Sequence, residues 1–564
     1  MERKWWQNKI VYQIYPKSFC DSNGDGIGDI CGIISKLDYL ESLGIDMIWL
    51  SPVYPSPMVD NGYDISDYYG IDPRFGTMED MERLIEEAKK RNIGILMDLV
   101  VNHCSDQHEW FKKACEDPYG PYGKYFYIKE YKDEKEPNNW RSVFGGSAWE
   151  KLTGHDDLCY LHFFAKQQPD LNWENPLLRE EIYRMVNWWL DKGLAGFRID
   201  AIINIKKDLT WADLPVDGPD QRGSVGQMVD RLLDKEGGSR TGVGVFLREL
   251  KERCFAPRNA FTVGEVFGMR KELFGEFIGE DGYFSTMFAF ETVWTYKKGS
   301  CWYEFDRNMN PDIWKKAVFE SQRALSGDEM EAVIIENHDQ PRGASLYIPE
   351  RDYGFASVSA LAALQMLQKG IPFLYQGQEI GMTNCHFDLE EYDDISTVDA
   401  YHAMIQMGYT KEQALDGCSR ESRDNTRTPM QWDASENAGF TNGTPWIKVN
   451  PNCERINVAR QEKEYGSILN YYKRLIAFRK SEEFGKVLTW GNFEPAYEKQ
   501  DKIFAFKRIL GEKELTVICN FSGTERFLPL EEDYSEVIFV NLPQVTRIGK
   551  NLILHPYQLI VVEK

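Results

Sequence analysis

Eight short, mostly apolar runs recur along the chain: Ile10–Gln13, Met47–Leu50, Ile95–Val101, Gly196–Asp200, Phe261–Glu265, Phe284–Phe290, Ala332–Glu336 and Pro372–Tyr375. Runs this short and this apolar suit strands buried on both faces of a parallel sheet. Helical patterns lie between them. In Thr77–Lys90, Thr77 and Asp80 have capping-box spacing, and Met81, Leu84, Ile85 and Ala88 fall on one face. Asn175–Leu190 places Pro176 in a first turn and spaces Leu178, Ile182, Met185, Val186 and Trp189 as a stripe. Val245–Cys254, Pro311–Leu325, Phe355–Leu367 and Gly466–Lys480 continue the series. Strand and helix alternating eight times predict a (β/α)8 barrel, and a doubly wound sheet shares the alternation.

Two stretches break the rhythm. Residues 104–171 are polar, aromatic and rich in Gly and Pro, and are too long for an ordinary strand-to-helix loop. They read as a subdomain inserted after the third strand. From about Lys486 the pattern alternates, as in KIFAFKRIL and ELTVICNF, and predicts an antiparallel β-sandwich. The expected domains are therefore a barrel over 1–103 and 172–483, an insertion over 104–171, and a sandwich over 484–564.

The formal net charge of −23 disfavours a nucleic-acid backbone or an anionic membrane as partner. The start, MERKWWQNKIVYQIY, has no apolar core of a signal peptide, and no run reaches the roughly 18 apolar residues of a membrane span. The 11 cysteines are scattered without a CxxC pair and read as free thiols of a reducing, cytoplasmic compartment. A monomer or weak homo-oligomer is expected.

Catalysis on a barrel occurs at the C-terminal ends of its strands. Asp200 closes the fourth run, Glu265 the fifth, Asp339 follows the seventh, and Asp98 and His103 flank the end of the third. Carboxylates converging without a His-rich metal cluster or a Gly-rich phosphate loop suit glycoside cleavage, whose oxocarbenium-like transition state anionic oxygens stabilise. Arg198, on the same strand face as Asp200, is placed to keep a nucleophile ionised. Glu265 lies in an apolar run, where a neighbouring carboxylate would favour an acid/base role.

The segments DLVVNH, GFRIDAIIN, GEVF and ENHDQPR, in that order, resemble the signature regions of the α-amylase family of glycoside hydrolases. SRDNTRTPMQWD, KQQPDLNW and WWQNKIVYQIYPKSFCDSNGDGIGD are similar to its oligo-1,6-glucosidase and α-glucosidase branch. The resemblance implies a retaining mechanism with Asp200 as nucleophile, Glu265 as acid/base and Asp339 as the carboxylate that grips sugar hydroxyls. It implies that His103 and His338 bond the terminal glucose and that Arg198 orients the nucleophile. It further implies that Asp60 and Tyr63 close the pocket behind a non-reducing end, with Arg427, or failing that Arg423, as the partner of Asp60. That closure makes the enzyme exo-acting. Phe144, Phe164 and Gln168 belong to the substrate site by the same likeness, with Tyr392 and Trp432 as weaker acceptor-side candidates.

In DSNGDGIGD, the oxygen-bearing residues alternate with glycines as in a Ca²⁺ loop, although Gly32 stands where an EF-hand needs a bidentate Glu. The resemblance implies a structural Ca²⁺, or Mg²⁺ in its place, held by Asp21, Asn23, Asp25, Asp29 and the Ile27 carbonyl, with no part in the chemistry. It also bears on linkage. Val tends to follow the nucleophile in α-1,6-preferring members of this branch, and Ala or Thr in α-1,4-cleaving ones. Ala201 thus leans toward α-1,4 or broad specificity, a small bias because one methylene-sized change is worth about 1–3 kcal/mol. An oligo-1,6-glucosidase and a sucrose isomerase or trehalose synthase remain the alternatives.

Overall fold

The computed structural model describes residues 3–133, 135–218, 220–234, 242–279, 281–297 and 308–564. Eight strands form one sheet: β1 (Val11–Ile14), β2 (Met47–Leu50), β3 (Gly94–Val100), β4 (Gly196–Asp200), β5 (Phe261–Gly264), β6 (Thr286–Met287), β7 (Ala332–Val333) and β8 (Ile371–Tyr375). Their order is β6-β5-β4-β3-β2-β1-β8-β7. Phe288, directly after β6, bridges Ala332 of β7 in parallel, so the order runs once round a nearly closed barrel.

The expected seventh strand, Ala332–Glu336, pairs only over Ala332–Val333. Beyond it the Glu336 carboxylate turns to Arg342 and to the Gly343 N–H. The expected Phe284–Phe290 run likewise pairs with β5 only through Thr286 and Met287. The helix expected over Val245–Cys254 is α-helical over Val243–Leu250 and ends in a wider turn, Lys251–Phe255.

Local chemistry sets the helices. In the helix Met78–Lys90, Thr77 Oγ1 accepts the Asp80 N–H at 3.1 Å and Asp80 Oδ2 accepts the Thr77 N–H at 3.0 Å, the reciprocal box read from the sequence. Asn175 caps the helix Pro176–Asp191 by accepting the Leu177 N–H at 3.0 Å.

Contacts divide the chain into two units. One comprises Met1–Ile48, Lys90–Ile93 and Phe288–Lys564, and the other Trp49–Lys89 and Gly94–Met287. In the second, Gly196 opens β4 at φ +157°, and a Cβ there would lie 1.7 Å from the Phe261 carbonyl oxygen. Only glycine lets β5 approach this closely. Within the stretch 104–171, Leu158–Leu161 lies between Ile128–Glu130 and Trp149–Lys151 in an antiparallel sheet. Trp140–Arg141 pairs instead with Gly223–Ser224, so the segment after Lys206 packs on this region as well.

The first unit ends in two antiparallel sheets. Five strands run in the order Asn492–Ala496, Ile503–Leu510, Lys513–Asn520, Leu559–Glu563 and Glu536–Val540. Three more are Arg526–Pro529, Asn551–Leu554 and Thr546–Ile548. Ala505, Ile518, Leu528, Leu552, Leu554 and Ile560 fill the space between the sheets, the alternate positions of the predicted sandwich. No helix of the described residues is long and apolar enough to cross a membrane.

Candidate active site

The parallel register of β4 and β5 pairs Ile199 with Gly264, which brings the next residues, Asp200 and Glu265, side by side at the strand ends. Arg198 lies between them. Its Nη1 donates to Asp200 Oδ1 at 2.7 Å and to Asp98 Oδ1 at 2.8 Å, and its Nη2 meets Glu265 Oε1 at 2.9 Å. One guanidinium, 2% exposed, thus holds three carboxylates. One cation cannot balance three carboxylates in so dry a setting, which favours a proton on one or more of them.

Asp98 is the most buried of the three. Its Oδ2 accepts from Tyr63 Oη at 3.0 Å and Trp49 Nε1 at 3.2 Å. Burial pushes its carboxyl up to about 6 against the pull of Arg198. The surroundings of Glu265 differ from the apolar ones expected. Besides Arg198, it accepts the Ala201 N–H on Oε2 at 2.8 Å, so both its oxygens face donors. The strand run is apolar, but its last side chain turns out of the run toward β4.

His103 follows β3. Its Nε2 lies 3.1 Å from the Tyr63 carbonyl oxygen and its Nδ1 lies 3.3 Å from Asn102 Nδ2. Burial pushes the imidazole down to about 3, so it is neutral in ordinary buffers. Gln168 Nε2 sits 3.1 Å from His103 Nε2 and donates to Asp60 Oδ2 at 3.1 Å. Phe164 packs on the His103 ring at 5.1 Å and on Phe144 at 5.7 Å, making a half-exposed aromatic pair. Asp60, Tyr63, His103, Phe144, Phe164 and Gln168, scattered over more than a hundred positions of sequence, are therefore one connected group with the β4–β5 carboxylates.

No periodicity or motif marks the ion pair behind His103. Lys207 Nζ lies 2.7 Å from Asp170 Oδ2, both side chains fully buried, and donates to Asn102 Oδ1 at 2.8 Å. Asn102 Nδ2 then reaches Asp170 Oδ1 at 3.2 Å as well as His103. The pair fixes the residue that orients the imidazole.

His103 carries a pH consequence with a definite sign. Its folded value lies below the ordinary histidine value of about 6.5. The folded chain therefore refuses a proton that the unfolded chain accepts. Stability from this site is complete above pH about 6.5 and declines as the pH falls toward 3. In His103→Gln that part of the stability curve flattens, as measured by urea unfolding across the range. An unaltered slope contradicts the assignment.

The first unit carries the other predicted groups. Asp339 Oδ2 accepts from His338 Nε2 at 3.1 Å, and its Oδ1 meets Arg427 at 3.0 Å and Arg423 at 3.4 Å. Burial alone would raise this carboxyl, but His338 and the two arginines hold it well below the usual range. Arg423 also pairs with Asp394 at 2.8 Å. His338 Nδ1 accepts from Gln13 Nε2 at 2.7 Å, and Tyr15 stacks on its ring at 6.3 Å. Gln13, which closes the run Ile10–Gln13, and Tyr15, two positions beyond it, had no sequence signal. Trp432 and Tyr392 pack into the core, Trp432 against Phe19 at 5.1 Å and Tyr392 against Phe387 at 5.2 Å.

The family model of the alpha amylase catalytic domain matches residues 13–491. The chain belongs to the alpha-amylase family of glycoside hydrolases. An alpha-amylase SusG C-terminal domain model matches residues 503–561. The chain is 44% identical to the oligo-1,6-glucosidase of Parageobacillus thermoglucosidasius, over 93% of its own length and 91% of the relative's. It is 41% identical to the glucan 1,6-alpha-glucosidase of Streptococcus pneumoniae over the full length of both. Among solved structures, the isomaltulose synthase of Klebsiella superposes with a TM-score of 0.91 at 36% identity, with complete coverage of both chains.

The glycine loop DSNGDGIGD is the expected cation site. Asp21 Oδ1 accepts the N–H groups of Asn23 and Gly24, and Oδ2 accepts from Gly26 at 2.8 Å and Thr441 at 2.5 Å. Asn23 and Asp25 make the same turn to Asp25 and Ile27 at 2.9 Å. Gly26, at φ +89°, lies so close to Thr444 that a Cβ would sit 1.8 Å from its carbonyl oxygen. Asp29 caps the helix Ile30–Ser35 and binds Ser22. Among the described residues no three His, Cys, Asp or Glu side chains form a metal-holding group. An ion here has to draw on the Asn23 amide oxygen and the Ile27 carbonyl as well. That all-oxygen set suits a hard cation.

Proposed function

We propose that the protein is a retaining exo-α-glucosidase that releases glucose from the non-reducing end of short α-glucosides. The observation that carries this reading is the single guanidinium shared by Asp200 and Glu265 at adjacent strand ends. Asp200 attacks the anomeric carbon while Glu265 protonates the departing oxygen. Glu265 then takes a proton from the water that releases glucose. Asp339 serves as the third carboxylate, His103 and His338 bond the sugar, and Asp60 and Tyr63 block extension beyond the terminal glucose. Phe144 and Phe164 give the aglycone an aromatic wall.

The preferred linkage is proposed to be broad. The names of the relatives support α-1,6 cleavage, and the small side chain of Ala201 leaves room for α-1,4 aglycones. Maltose, isomaltose and sucrose, each given to the purified enzyme, test this. Glucose is expected from maltose and isomaltose at rates within about a hundredfold, the range one methylene-sized difference allows. The structural likeness to isomaltulose synthase makes sucrose the critical arm. A rearranged disaccharide in place of glucose and fructose overturns the hydrolase reading.

Asp21, Asn23, Asp25, Asp29 and the Ile27 carbonyl are proposed to hold a structural Ca²⁺, or Mg²⁺. Chelation with EDTA is expected to lower the melting temperature by several degrees, restored by added Ca²⁺, and an ion at 100 times its Kd adds about 2.7 kcal/mol. A melt indifferent to EDTA and Ca²⁺ rejects the site. A cytoplasmic location is proposed from the scatter of cysteines without a CxxC pair along the sequence; Cys301 lies outside the described residues.

A further inference from the structure

Ala201, directly after Asp200, adopts the left-handed conformation with φ 42° and ψ 33°. A non-glycine residue pays a steric penalty there, and penalties of this kind gather where backbone geometry serves function. The turn ends β4 and aims the Ala201 N–H at a side chain. That N–H meets Glu265 Oε2 at 2.8 Å while Arg198 holds Oε1 at 2.9 Å. The charged and titratable groups around this carboxyl are Arg198, Asp200, Asp98 and Tyr63.

We propose that Ala201 is a positioning residue whose backbone N–H stabilises the carboxylate that Glu265 becomes as it acts as general acid. The inference rests on the α-glucosidase reading. In the first step a bond forms from Asp200 to the anomeric carbon and the glycosidic C–O bond breaks. The Glu265 proton passes to the departing oxygen, leaving a carboxylate. A donor aimed at that oxygen binds the charged product more tightly than the neutral acid, so its contribution grows toward the transition state. Ala201 then acts on rate through its backbone, separately from any effect of its methyl group on linkage.

The test removes the N–H and keeps the side chain. Lactic acid at position 201 turns the amide into an ester and keeps the methyl group. Methyl α-glucoside and α-glucosyl fluoride both carry minimal aglycones, but only the first needs a proton to depart. The ester chain is expected to lose about tenfold or more in kcat/KM on methyl α-glucoside, and to stay within about threefold of the parent on the fluoride. Ala201→Gly keeps the N–H and tolerates the turn, so whatever it does to the rate is expected to fall equally on both substrates. An equal loss on both substrates, no loss on either, or a selective loss in Ala201→Gly overturns the proposal. Should the ester chain not fold, the Ala201 amide proton, seen by selective ¹⁵N labelling, is expected to move in Glu265→Gln. An unmoved resonance also overturns it. Failure of the unaltered enzyme on both substrates counts instead against the α-glucosidase reading.

Discussion

Asp200→Ala lowers kcat/KM for an aryl α-glucoside by about 10⁴-fold or more, the scale of a lost nucleophile. The fold tolerates the change, because Arg198 keeps Asp98 at 2.8 Å and Glu265 at 2.9 Å. Removing one of three carboxylates from one guanidinium also relieves like-charge repulsion. The melting temperature is therefore expected to stay within a few degrees. Azide fits the space vacated by the carboxylate and attacks the same face of the sugar. A β-glucosyl azide is the expected product in the variant, since a retaining enzyme's nucleophile approaches an α-glucoside from the β side. Glu265→Gln is expected to fail chiefly on substrates with poor leaving groups. Near-normal hydrolysis of the aryl α-glucoside by Asp200→Ala, or of maltose by Glu265→Gln, would remove the assignment.

Arg198→Met has the second large effect, and it falls on stability as well as rate. The substitution leaves Asp98, Asp200 and Glu265 buried together without their cation. Breaking a buried ion pair by removing one partner costs about 3–5 kcal/mol. The cost depends on pH with a definite sign. Asp98 already titrates at about 6, above the ordinary carboxylate value, because burial disfavours its charge. A group raised on folding gives its full stability below its unfolded value and loses it as the pH rises through its folded value. Without Arg198 the remaining carboxyls are pushed further in that direction. The variant should therefore lie closest to the parent near pH 4 and fall away from it toward pH 7, followed by urea unfolding. A constant gap across that range would mean that Arg198 acts by packing alone.

Much of the architecture was legible because local rules coincide with global ones. Continuous apolar runs gave the buried strands, and β4 is the run Gly196–Asp200 without adjustment. Capping residues gave helix starts, as at Thr77 and Asn175. The ends of β6 and β7 were not legible. Strand length there depends on which neighbour offers a ladder, and Ile334–Glu336 are apolar or buried without being paired.

For the site, the sequence by itself determined which residue types stand at strand ends, and the likeness of four short motifs gave Asp200, Glu265 and Asp339 their order and roles. Tertiary structure decided their electrical surroundings. It placed Glu265 among donors where the sequence suggested apolar neighbours, and made Asp98 the third carboxylate of Arg198. It also set Lys207 and Asp170 behind Asn102, and Gln13 behind His338. The physical reason is distance. A periodicity or a cap is settled by residues a few positions apart, whereas a carboxylate's environment is settled by groups that approach within 3 Å from tens or hundreds of positions away.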